Sequence, residues 1–168
     1  MKAARRHTAL LAAIAFGLAC VGPNGGTSDA QRIEDVADRG DAQRRASTRL
    51  VLDGLDADAR GDARLAQSRY ERAIQIDASN PYAYLALARH YVEQQDPDRA
   101  LVYLDHAGSL FESIDDDTPG AQTHLIGLRG AALRLAGRSQ QADPLLREAA
   151  QRSPALWSDG RLDAAELR

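Results

Sequence analysis

The stretch "YERAIQIDASNPYAYLALARHYVEQQDPDRALVYLDHA", residues 70–107, decides the fold. Alanines stand at 73, 100 and 107, tyrosines at 70, 84 and 91, and the run is broken once, at Asn80-Pro81. The intervals are too regular for a loop. Small and bulky residues recur on each side of the break at helical spacing.

Laid out at a period of 34 residues, the pattern extends in both directions. The unit 81–114 has bulky Tyr84, Leu87 and Tyr91 around small Ala88, a turn at Gln95-Asp96, and Ala100, Leu104 and Ala107 in its second helix. The unit 47–80 fills the same places with Leu50, Gly54, Gly61-Asp62, Ala66, Tyr70 and Ala73. After "DDDTPGAQ", the unit 123–156 offers Ile126, Gly130, Leu133, Gly137-Arg138, Ala142, Leu146, Ala149 and a closing Pro154. The leucine place holds Asp53 and Arg129 in the outer units, so the first helix of each is expected to meet solvent or an irregular neighbour there.

These residues resemble the tetratricopeptide repeat, a helix-turn-helix unit that stacks on copies of itself. The resemblance covers 47–156 and implies an all-α fold: a right-handed superhelical stack of antiparallel helix pairs, three units long. Two helices approach to about 8–10 Å only where the crossing side chains are small, which gives the columns at 54, 88 and 130, at 66, 100 and 142, and at 73, 107 and 149 their purpose. About one residue in five is alanine, so one such column would mean little; three columns with the turns in step exclude a plain alanine-rich bundle as the better reading. Flanking helices are expected at 28–46, from the Ser28/Gln31 capping pair with Ile33, Val36 and Ala37, and within 157–168, with Trp157 as a plug and Leu162, Ala165 and Leu167 apolar.

The first residues read as an address. "MKAARRH" is basic and "TALLAAIAFGLA" apolar for about a dozen residues, a signal peptide over 1–19 and too short for the ~20 residues of a membrane span. The only cysteine, Cys20, follows Leu18-Ala19 and resembles the lipidated cysteine of bacterial lipoproteins, with Gly17 where that family usually has leucine. Two readings stand: a lipid anchor on Cys20, or ordinary cleavage after Ala19 that leaves a free thiol. Either carries the chain across the cytoplasmic membrane. The lipoprotein resemblance, with Val21 after the cysteine, implies the outer membrane, and 20–27 then forms a flexible tether.

Composition excludes several functions. The formal charge is −3, and −6 without Lys2, Arg5 and Arg6, which speaks against a nucleic-acid binder. His90, His106 and His124 lack the spacing of a zinc site, and "DDDTPG" and "DADARG" lack the fifth and twelfth ligands of a calcium loop. No phosphate loop or nucleophile elbow occurs, so neither an enzyme nor a cofactor or metal is expected.

The resemblance implies binding along an inner curve lined by the first helix of each unit. In that register the strip Val51, Leu55, Tyr82 and Leu85 is apolar, Asp58 and Arg89 lie beside it, and Val92 continues it. The third unit presents His124, Gly127, Ala131 and Arg134. Such a strip suits an amphipathic helix or an extended peptide of an envelope partner. It equally suits self-packing, with the 28–46 or tail helix laid across it, since a large apolar patch must be covered by something. The expected function is an adaptor or assembly factor of the bacterial envelope; the rival is a tethered spacer or a scaffold that pairs with further copies through its open ends.

Overall fold

A computed structural model describes residues 31–113 and 119–168. The described chain is all-helical. A 3-10 turn, Ile33–Val36, is followed by α1 Ala42–Ala59, α2 Ala63–Ile76, α3 Pro81–Glu93, α4 Pro97–Ser113, α5 Pro119–Leu135, α6 Ser139–Arg152, α7 Pro154–Trp157 and α8 Ala164–Leu167. α1 with α2, α3 with α4, and α5 with α6 form three pairs, and α2 packs on α3 as α4 does on α5. Each pair falls on one of the stretches 47–80, 81–114 and 123–156, with α1 and α5 beginning ahead of theirs.

Local chemistry sets the boundaries. Asp41, Asp62, Asn80 and Asp96 each accept a hydrogen bond from a backbone N–H two or three residues on, at 2.8–3.1 Å, so each of α1 to α4 starts at a side-chain cap. Asn80 does more than cap. Its amide donates to the hydroxyls of Ser47 (2.9 Å) and Thr48 (3.1 Å), and Ser47 donates to the Ala73 carbonyl, all inside the core. The Asn80-Pro81 break thus fastens the second unit to the first. Within each unit the chain reverses through a left-handed residue at the same place: Gly61 (φ 79°), Gln95 (φ 59°) and Gly137 (φ 74°).

The small columns lie where expected. Ala66, Ala73, Ala88, Ala100, Ala107, Ala142 and Ala149 are wholly buried. A Cβ on Gly54 would overlap the Tyr70 ring, and one on Gly130 would stand 2.8 Å from Leu146 Cγ. Asp53 is exposed, and Arg129 forms a 2.8 Å ion pair with Asp105 across α4 and α5 instead of packing as leucine would. Beside the core, Tyr91 stacks on Tyr103 with centroids 5.4 Å apart, and the Arg99 guanidinium covers Tyr91 at 4.3 Å.

Three boundaries differ from expectation. No separate helix occupies the described part of 28–46: Gly40, at φ 81°, ends the first segment, and the Asp41 cap starts α1 five residues before the repeat was expected to begin. The last four residues of "DDDTPGAQ", 119–122, open α5. The tail is not one helix within 157–168. Gly160 at φ 70° breaks it, Asp163 and Glu166 make a capping box, and Ala164 is buried where Ala165 is exposed. The signal segment, Cys20 and the tether at 20–27 lie outside the described residues, as do Asp115, Asp116 and Asp117.

Gln95 is a side-chain-bearing residue held where glycine is at ease. Gln95→Gly should raise the unfolding free energy by about 0.5–1 kcal/mol in urea titration, through relief of left-handed strain. No change or a loss would show that the side chain is needed in the turn.

Candidate functional site

The strip that the sequence assigns to the inner face is assembled, and it is closed. Val51, Leu55 and Leu85 have no exposed surface, Tyr82 keeps 5 % and Arg89 2 %, and Val92 is half-buried. Two end segments are the cause. The 3-10 turn and α8 both pack against α1, and Ile33, Val36, Leu162, Ala164 and Leu167 join the same apolar cluster as the strip. Glu34 N–H donates to the Arg168 carbonyl at 2.7 Å, and the Arg32 guanidinium donates to the Ala165 carbonyl at 3.2 Å. Arg168 pairs with Asp56 of α1 at 3.0 Å. Both ends of the described chain therefore meet over the inner face.

The third unit is covered in the same way. A Cβ on Gly127 would overlap the Trp157 ring, so this glycine is the seat of the buried tryptophan. A Cβ on Gly120 would overlap the backbone of Gln31. Gln31 also meets the Tyr82 hydroxyl through its side chain (3.1 Å), and its carbonyl lies 3.0 Å from Nε2 of His124. The carbonyl can only accept, so Nε2 carries the proton. Burial lowers the pKa of His124 from 6.5 to about 4, the Gln31 carbonyl opposing only part of that shift.

Beside the strip, Asp58 is the centre of a buried polar knot. Its carboxylate accepts from the Arg89 guanidinium, from the Tyr70 hydroxyl at 2.9 Å and from Nδ1 of His90 at 2.9 Å, joining α1, α2 and α3. Arg89 extends the knot to Glu93 at 2.6 Å. Burial alone would raise the Asp58 pKa. The His90 hydrogen bond, the Arg89 and His90 charges and the Tyr70 hydroxyl outweigh it and hold the carboxyl below its ordinary value. Tyr70 is driven the other way, first by burial and then by the Asp58 charge. Sequence reading placed Asp58 and Arg89 beside the strip but missed Tyr70 and His90 as their partners. Tyr70 read only as a packing residue, and His90 carried no motif.

A cleft of about 240 Å³ lies open between the ends of α3 and α5 and the tail. Val92, Leu128, Ala131, Leu135 and Leu162 give it apolar lining, and Arg89, Arg134, Arg161, Glu93 and Asp163 line it with charge in equal part. Of the third-unit positions, Ala131 and Arg134 line this cleft, whereas His124 and Gly127 are buried under the ends. The tail half of the lining was invisible in the sequence, where nothing shows that Gly160 folds 161–163 back onto α3 and α5. Among the described residues no group of three or more His, Cys, Asp or Glu side chains could hold a metal, and no helix is long and apolar enough to cross a membrane.

Asp58→Ala should cost about 3–5 kcal/mol in chemical denaturation, because it takes from the buried Arg89 its buried partner and leaves only the exposed Glu93. Asp58→Ala with Arg89→Met should recover part of that loss; a loss in the single variant under 1 kcal/mol, roughly that of an exposed pair, would contradict the knot. His124 sets a pH dependence. Its folded pKa, about 4, lies below the unfolded 6.5, so its contribution is complete above pH 6.5 and is lost as pH falls toward 4. Unfolding free energy should drop by up to about 3 kcal/mol across that window. His124→Gln should flatten the slope there, and an unchanged slope would show that another group titrates.

Residues 59–122, from the end of α1 through the start of α5, match the family model described as the tetratricopeptide repeat. That match supports reading the helix pairs as repeats of this kind. No curated protein and no solved structure matches the chain.

Proposed function

We propose that the chain is a protein-binding adaptor of a bacterial cell envelope, held at the outer membrane by a lipid on Cys20 and free of catalytic chemistry. Proteins built of tetratricopeptide repeats generally mediate protein–protein contact, and the repeat match over 59–122 is the observation that carries the reading. The mechanism is preorganisation. A stack locked by its small-residue columns and the Asp58 knot presents a fixed surface, so binding orders little of the adaptor itself. A tether at 20–27 would hold that surface near the membrane and raise its effective concentration for other envelope proteins. The cleft between α3, α5 and the tail is the part of the inner face open to such a partner, suited to an apolar side chain with a charged neighbour.

A spacer without a dedicated ligand is the second reading, and one observation favours it. The strip Val51, Leu55, Tyr82 and Leu85 is already covered by the chain itself.

The test is recovery of envelope proteins on the immobilised chain from Val21 to Arg168, beside Val92→Glu/Leu135→Glu, which places charge at two cleft residues that are not fully buried. A partner retained by the parent and lost by a variant of equal helicity is the expected result. Failure of both to retain anything would leave the spacer. In the native cell, Cys20→Ala should move the protein from the membrane to the soluble fraction, and an unchanged distribution would end the anchor reading.

A further inference from the structure

We infer that the tail segment 161–168 is a displaceable occupant of the inner face, and that a partner docks there by replacing it with a segment of like chemistry. This deepens the adaptor reading and rests on it for its use, though the opening itself needs no partner.

The segment is attached by little. Only Leu162, Ala164 and Leu167 are buried in it. α8 is a single turn, too short to hold its helical form without the surface beneath it. One backbone bond, Glu34 N–H to the Arg168 carbonyl at 2.7 Å, holds its end, and its side-chain fastenings lie at the rim. Arg168 and Asp56 keep 45 % and 37 % of their side-chain surface, and such exposed pairs contribute little. The Arg32 bond to the Ala165 carbonyl is exposed as well. The segment also fits imperfectly, because the 240 Å³ cleft runs along Gly160–Asp163, between the segment and the helices. At its root the chain turns at Gly160, at φ 70°, whose carbonyl accepts from the Arg134 guanidinium at 2.8 Å, while Trp157 before it is seated on Gly127.

What lies beneath is unlike a hinge or a rim. It is α1, on which α8 packs, the helix that carries the wholly buried Val51 and Leu55 of the strip. The seated segment states what that face accepts: a leucine ahead of a one-turn helix, a small residue and a second leucine within that turn, and a basic group reaching Asp56. The committed occupant is therefore a partner-protein segment with two aliphatic side chains at that spacing and a cationic end. Residues of this kind would enter as the tail leaves, so the apparent affinity is reduced by the fraction of time the tail is closed.

The test uses the chain from Val21 to Arg168, which keeps every described residue, and a labelled synthetic peptide of residues 157–168 as probe. Native-state hydrogen exchange should show the amides of 161–168 opening well before those of α1 to α4. Leu167→Asp should keep its helicity and cooperative melting and bind the probe, with the parent at least ~10-fold weaker. A probe carrying Leu167→Asp itself should not bind. Exchange of 161–168 only with global unfolding would overturn the inference. So would loss of cooperative folding in the variant, or a folded variant that ignores the probe. A variant that binds the probe while no envelope protein competes for the site would keep the opening and remove the adaptor reading instead.

Discussion

Helices in this chain touch where side chains vanish. Gly54 lies against the Tyr70 ring, Gly130 against Leu146, Gly127 against Trp157 and Gly120 against the backbone of Gln31, each at a spacing that a Cβ would violate. The buried alanine columns work the same way between helices of one pair and the next. Close approach of this kind is stiff, because tightly packed interiors do not absorb added volume. From it follow the pairing of α1 with α2, α3 with α4 and α5 with α6, and the convergence of α1, α3 and α5 on one face.

That convergence creates a second constraint, since the face so formed is apolar and cannot be left to water. The chain covers it with two short pieces that could not fold alone. Ile33 and Val36 arrive on a 3-10 turn, Leu162, Ala164 and Leu167 on a broken tail, and the two pieces join through the Glu34–Arg168 backbone bond. The Asp58 knot lies at the border of this covering. Arg89 belongs to the buried knot and to the lining of the open cleft, so the permanent core and the accessible surface share a residue.

The pair boundaries were legible because they rest on residues with one physical meaning. The Asn80-Pro81 break falls between two units, where Asn80 caps α3, and the left-handed turn positions at 61, 95 and 137 fall in step with the units. The residues of the strip were singled out through the register that the repeat resemblance implies, and Trp157 as a plug from its place in the tail. The covering of the strip was not legible. Ile33 and Val36 are spaced equally well for a helix or for a 3-10 turn, and only Gly40, whose left-handed backbone no composition argument isolates, decides between them. Leu162, Ala165 and Leu167 suggested the apolar residues of one helix, but Gly160 and the Asp163 cap break the segment so that Ala164 turns inward. The cleft depends on that fold-back and was hidden for the same reason. His90 offered no signal, because its role comes from Asp58, a residue 32 positions away in another helix.

The central claim is that the inner face is closed by the chain's own ends. Cys20 is the sole cysteine, so in the chain from Val21 onward a single introduced thiol reports on one position. The most direct measurement is the rate of maleimide labelling of Leu85→Cys, a wholly buried position of the strip, against Val102→Cys, which is 54 % exposed. The account predicts that Leu85→Cys is protected by orders of magnitude and becomes reactive when Leu167→Asp is added. Labelling of Leu85→Cys as fast as Val102→Cys would show an open face and contradict the account.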